Sequence, residues 1–136
     1  MNTIILSIKP KWAEKIYSGE KTVEFRRVVP KCIHPGEDKY VNVLLYESSP
    51  VSKVTGECLM YISSFYLFGD VCSDILKKGC LTKQEMESYS RGRPVYVLAV
   101  EGAKKWDAPK DISYYNKRAP MNYVYQPEID NEEDRR

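Results

Sequence analysis

The period of the hydrophobic positions changes repeatedly along the first third of the chain. Thr3 to Ile8 (TIILSI) is a short apolar run, which predicts a strand. The spacing then turns helical. Trp12, Ala13, Ile16 and Tyr17 share one face, and Lys11, Glu14, Lys15 and Ser18 occupy the other. Pro10 suits the first turn of that helix, and Gly19 suits its C-terminal cap. A period of two follows over Lys21–Arg27. Val23 and Phe25 fall on one side, with Lys21 and Arg27 at the ends of the same side. Thr22, Glu24 and Arg26 fall on the other.

Beyond this the pattern predicts a loop over 28–39, broken by Pro30, Pro35 and Gly36. Tyr40–Glu47 (YVNVLLYE) reads as a central strand that Ser48-Ser49-Pro50 ends. Lys53–Phe65 reads as a long strand, with Gly56 at a bulge or bend. Gly69–Lys78 predicts a short helix. Thr82-Lys83-Gln84-Glu85 fits a capping box opening another, which ends near Gly92. Pro94–Glu101 is a further strand. From Ala103 the order is less regular, and Trp106, Ile112, Tyr114, Tyr115, Tyr123 and Tyr125 suggest an aromatic segment over the core. Residues 1–127 are expected to form one domain, and 128–136 an acidic polar tail, expected to be disordered. Four or five strands with short helices between them point to an α+β fold, a small barrel or a strongly curved sheet.

Composition adds bounds. The 136 residues are 43% apolar and 29% charged, the profile of a globular domain able to bury its own core. No apolar run approaches the ~20 residues of a membrane span, and no secretory signal precedes the first strand, so a cytoplasmic protein with no membrane partner is expected. The net charge of +2 is unevenly spread, at +4 over residues 1–31, +1 over 32–127 and −3 over 128–136. The basic end therefore holds the polar strand, and it suits phosphate groups as well as a solvated helix face. The four cysteines form no C-x-x-C pair, and His34 stands alone near Cys32. Neither a metal site nor a cofactor is expected, and the cysteines read as reduced and mostly packed in the core.

Candidate chemistry concentrates on the 19–27 stretch. Glu24 and Arg26 suit either a structural ion pair or a ligand-reading face. Lys21 has no obvious helical or cross-turn partner, so it is expected to face a ligand, as an anion-binding group or a base. Glu47, Ser48 and Ser49 suit the polar rim of a pocket, or a plain turn. Lys9 and Lys11 suit phosphate contacts near a helix N-terminus. Trp12 between them fits core packing better than base stacking. No phosphate-binding glycine loop, dinucleotide fingerprint or serine elbow is present.

LSIKPKWAEKIYSGEKTVEFRR, from Leu6 to Arg27, resembles the opening of ASCH domains of the PUA-like superfamily. Their G-x-K-x-x-E-x-R signature falls here on Gly19, Lys21, Glu24 and Arg26. LLYESSPVSKVTGE, from Leu44 to Glu57, resembles a strand–S-S-P–strand segment of a prokaryotic subgroup, and APMNYVY from Ala119 its closing segment. The resemblance implies a mixed β-barrel of about five or six strands with short flanking helices. It implies RNA or a modified nucleotide as partner, in a cleft beside the signature strand; with the candidates read from the residues themselves, the expected contacts are Lys9, Lys11, Lys21, Thr22, Glu24, Arg26, Arg27, Glu47, Ser48 and Ser49. It also implies an alternative, a small hydrolase acting on nucleosides or RNA, in which Lys21 matches the catalytic lysine; by its own chemistry Glu24 would then activate water. In the smallest ASCH amidohydrolases, which remove an acetyl group from N4-acetylcytidine, the motif continues K-T-x-T. Here Glu24 stands in place of the second threonine.

Overall fold

The computed structural model describes residues 2–126. The expected tail over 128–136 lies outside them. In chain order the elements are β1 (Thr3–Ile8), α1 (Pro10–Tyr17), β2 (Val23–Arg26), β3 (Val41–Glu47) and β4 (Lys53–Tyr66). There follow α2 (Ser73–Lys78), α3 (Lys83–Ser90), β5 (Val95–Lys110), a 3-10 turn (Ile112–Tyr115) and β6 (Tyr123–Gln126). The strands form one mixed sheet in the order β2-β5-β4-β3-β1-β6. Among the described strands β1 and β3 pair in parallel, joined through the crossover that carries α1 and β2, and the other strand pairs are antiparallel. The fold is α+β, as the pattern predicts, but the sheet does not close into a barrel. β2 and β6 remain its edges.

The centre of the sheet forms where the sequence is most apolar. All of β3 is buried, and Ile4, Ile5, Val43, Leu44 and Leu45 have no exposed surface. The core divides into three clusters. The first packs α1, through Ala13 and Ile16, on β1, β3 and β4. The second lies on the opposite side, where Trp106 and Tyr115 cover Ile5, Leu44 and Val54. Two of the aromatics expected over the core thus reach it. The third joins Val23 and Phe25 of β2 to Leu76 of α2 and Met86 of α3.

Local signals act where they were expected. Pro10 opens α1, and Gly19 leaves it with φ +84. The capping box forms, with the Thr82 hydroxyl accepting from the Glu85 amide at 3.1 Å and the Glu85 carboxylate accepting from the Thr82 amide at 3.0 Å. The β3–β4 register shifts between Leu45 and Tyr46, and the β4–β5 register between Val54 and Gly56. At Gly56 a side chain would strike the Lys104 carbonyl, so the close pass of β5 requires glycine.

Several expectations are corrected. β2 begins at Val23, not Lys21, and α2 at Ser73, not Gly69. β5 continues past Glu101 to Lys110. The four cysteines are free, but only Cys58 is buried, and Cys72 is exposed. No helix among the described residues is long and apolar enough to cross a membrane. No group of His, Cys, Asp or Glu among them has metal-binding proximity.

Candidate functional site

The turn from α1 into β2 drops Lys21 into the interior. Its amide donates to the Lys15 carbonyl at 2.9 Å, which fixes the turn, and only 1% of the residue is exposed. The Lys21 amine donates to the Gly79 carbonyl at 2.6 Å and lies 3.4 Å from Glu24 Oε1. Lys21 thus has partners that its place after the helix does not make obvious, and it still lines the cleft described below. Gly79 lies 58 residues away, so no local spacing reveals it. Glu24 is also buried. Its Oε1 accepts from the Phe25 amide at 3.2 Å, and its Oε2 accepts from Arg26 Nη2 at 3.0 Å. Arg26 Nη2 further donates to the Ser7 carbonyl at 2.7 Å, and Nη1 to Asn122 Oδ1 at 3.1 Å. Arg26 thus ties the β2 edge to β1 and to the segment before β6, across the gap that leaves the sheet open.

This Lys21–Glu24–Arg26 row is the floor of a cleft of about 870 Å³, within the size range of small-ligand sites. Ser7, Ile8 and Lys9 at the end of β1, with Trp12 and Ser48, form one wall. Gln84, Glu85, Ser88 and Tyr89 of α3 form the other, and Met121 stands at the mouth. Two ammonium groups, those of Lys11 and Lys21, lie 4.5 and 5.0 Å from the centroid of the Trp12 ring. Such cation–π contacts help to hold a desolvated amine. Glu85 is bound into the helix cap, and the Thr82 amide holds its carboxyl below the usual range.

Burial lowers the Lys21 amine from the usual value of 10.5, and the Glu24 carboxylate opposes that shift. Folded Lys21 therefore binds fewer protons than unfolded Lys21 between the lowered value and 10.5. The cost of burying the charged amine is present in full below that window and relieved as pH rises through it. The protein is thus expected to gain stability relative to its Lys21→Met variant from neutral pH toward 10.5, measured by urea unfolding. A pH-independent difference would count against this account.

No family model matches the chain. Two curated relatives from Ureaplasma parvum serovar 3 align over 126 residues, 90% of this chain. They are the large ribosomal subunit protein uL22, at 29% identity, and ATP synthase subunit alpha, at 27%. The chain spans only 39% and 15% of their respective lengths. Among solved structures, the ASCH protein of Zymomonas mobilis matches with a TM-score of 0.70 at 21% identity, covering 90% of this chain and 86% of that one. A variant of the same protein gives 0.67 at 22%, covering 92% and 90%. The fold is that of an ASCH domain.

Within this ASCH fold the signature residues have a physical arrangement. Gly19 turns the chain out of α1, and Lys21, Glu24 and Arg26 then meet as one charged row. Of the other residues singled out in the sequence, Lys9 and Ser48 line the cleft. Lys11 is exposed on the Trp12 ring, outside the lining. Arg27 is exposed, with its guanidinium 5.0 Å from the Tyr89 ring centroid. Thr22 is exposed and precedes the strand, so it does not share the floor with Glu24. Glu47 is buried, and Ser49 is exposed on the turn that follows. The α3 wall, Asn122 and the Gly79 carbonyl were not legible as site groups. Trp12 fits the apolar face of α1 by its helical spacing, packs against the core and lines the cleft as well.

Proposed function

We propose that this chain binds RNA or a modified nucleotide in the cleft, with the base inward and the phosphate at the mouth. Residues 1–127 act as one binding domain in this reading. The observation that carries it is the floor. Glu24 already pairs with both Lys21 and Arg26, so neither cation of the floor is free, and the row is flanked by Trp12 and Phe25. That surrounding favours a flat, uncharged ring with polar edges over a phosphate. Unstacked bases offer such edges in single-stranded or flipped form. Lys9 at the mouth, with Lys11 beside it, supplies positive charge for the backbone. The implied RNA partnership of ASCH domains agrees with this. The two curated relatives differ in name, and neither name is carried over.

Fluorescence anisotropy with a labelled single-stranded RNA over a range of salt tests the reading. Lys9→Ala is expected to weaken binding and to reduce the salt slope by about 0.7, the contribution of one phosphate contact on a single strand. No affinity at low salt would overturn it. One observation supports an enzymatic alternative. A buried lysine with a lowered pKa beside a carboxylate is the kind of group that acts as a base. Mass spectrometry of nucleosides incubated with the protein separates the two, because a Lys21-dependent mass change occurs only with turnover.

A further inference from the structure

On the surface near the cleft two tight turns pack back to back. The first spans 66–69, closed by the Gly69 amide on the Tyr66 carbonyl at 3.2 Å, and puts Leu67 and Phe68 at its corner. The second spans 90–93, closed by the Arg93 amide on the Ser90 carbonyl at 2.9 Å, and presents Arg91 and Arg93. Gly69 is pressed against Ser90 and the Arg93 carbonyl, so the two turns form one corner. Phe68 is 67% exposed and Leu67 56%. Among the described residues Phe68 has no ring or cation partner, and Arg91 and Arg93 have no ion-pair partner. Trp12 and Phe25 in the cleft, in contrast, are already faced by ammonium groups.

This corner continues the cleft. Tyr89 lines the cleft and immediately precedes the second turn. Its hydroxyl accepts from the Arg27 amide at 3.2 Å, and the Arg27 guanidinium covers its ring. Arg27 on the Tyr89 ring, and Arg91 and Arg93 on the turn that follows Tyr89, are thus exposed cations beside the turn that carries the exposed Phe68. Alternating cations and rings are what a single strand needs, since phosphates and bases alternate along it. A membrane surface fits less well, because Asp70 and Glu87 flank the corner in the chain.

We propose that these turns are an outer subsite for the nucleotides that follow the one held in the cleft, making the ligand a single-stranded RNA rather than a free nucleotide. Phe68 stacks on a base, and Arg91 and Arg93 hold phosphates. The proposal rests on the reading of the cleft given above.

The test compares a labelled RNA dinucleotide pool with a decamer pool of random sequence, using wild-type protein, Phe68→Ser, Arg91→Asn with Arg93→Ser, and Lys9→Ala. Asparagine is chosen at Arg91 because the residue has φ +51, which asparagine tolerates. Phe68→Ser is expected to weaken decamer binding about tenfold and leave the dinucleotide unchanged. The arginine variant is expected to act in the same sense and to lower the decamer's salt slope. Lys9→Ala is expected to weaken both pools. Decamer binding insensitive to Phe68 and to the arginines, with dinucleotide binding intact, overturns the outer subsite and leaves the cleft reading standing. Failure of both pools to bind overturns both. Phe68-dependent binding to phosphatidylglycerol vesicles, with RNA binding unaffected, overturns the subsite in favour of a membrane surface.

Discussion

Glu24→Ala is expected to destabilise the protein by about 3–5 kcal/mol, the usual cost of removing one member of a buried charge cluster. The variant leaves the Lys21 amine in a nearly closed site with no anion beside it, and it takes from Arg26 its carboxylate partner. Lys21→Met is expected to cost much less. Glu24 then keeps Arg26 Nη2 at 3.0 Å and the Phe25 amide at 3.2 Å, and the methionine fills the space beside Trp12 and Phe25. The contrast is measurable by urea unfolding of the two variants at neutral pH. Equal losses would mean that Glu24 stabilises Lys21 no more than Lys21 stabilises Glu24, and that Arg26 contributes little. The same contrast bears on ligand binding. Glu24→Ala leaves the floor with two uncompensated cations, whereas Lys21→Met leaves a balanced Glu24–Arg26 pair beside an apolar side chain. A base-inward ligand should therefore survive the second change better than the first.

How far the site could be read from the sequence follows from what holds each part. The TIILSI and YVNVLLY runs are buried on both faces, and a continuous apolar run states that directly. The Thr82–Glu85 cap is local chemistry, complete within four residues, and it forms where it was read. β5 is different. Residues 101–105 are all exposed, and they are held as strand by pairing with β4 through several register shifts. No hydrophobic period marks such a segment. Barrel closure was equally illegible. It depends on whether two four-residue edge strands meet, and here a side chain, Arg26, spans the gap through Ser7 and Asn122. The signature strand announced its polar residues but not their partners. Alternation assigned Lys21 to the Val23/Phe25 side, opposite Glu24, and showed no partner for it, because the backbone turns it toward Glu24 and the carbonyl that accepts from it lies in the turn after α2.

That turn gives the second large effect. Gly79→Ala is expected to destabilise the protein by about 1–3 kcal/mol and to weaken ligand binding at the same time. Gly79 has an ordinary backbone conformation, and what it lacks is space. An added Cβ would strike the Phe25 ring at Cε2 and Cζ. Phe25 packs Val71, Leu76 and Met86 in the third core cluster, so the ring has little room to retreat. The alternative is for the turn to move, and the turn carries the carbonyl that accepts from Lys21 at 2.6 Å. Either response disturbs the floor of the cleft, since Lys21 and Phe25 both line it. Paired unfolding and RNA-binding measurements decide between the two. If the ring yields, stability falls while the pH dependence assigned to Lys21 persists. If the turn yields, that pH dependence shifts as well, because the amine loses its carbonyl partner. Wild-type stability and wild-type binding together would show that the contact between β2 and the α2 turn is slack, and the rigid floor on which the binding proposal stands would have to be given up.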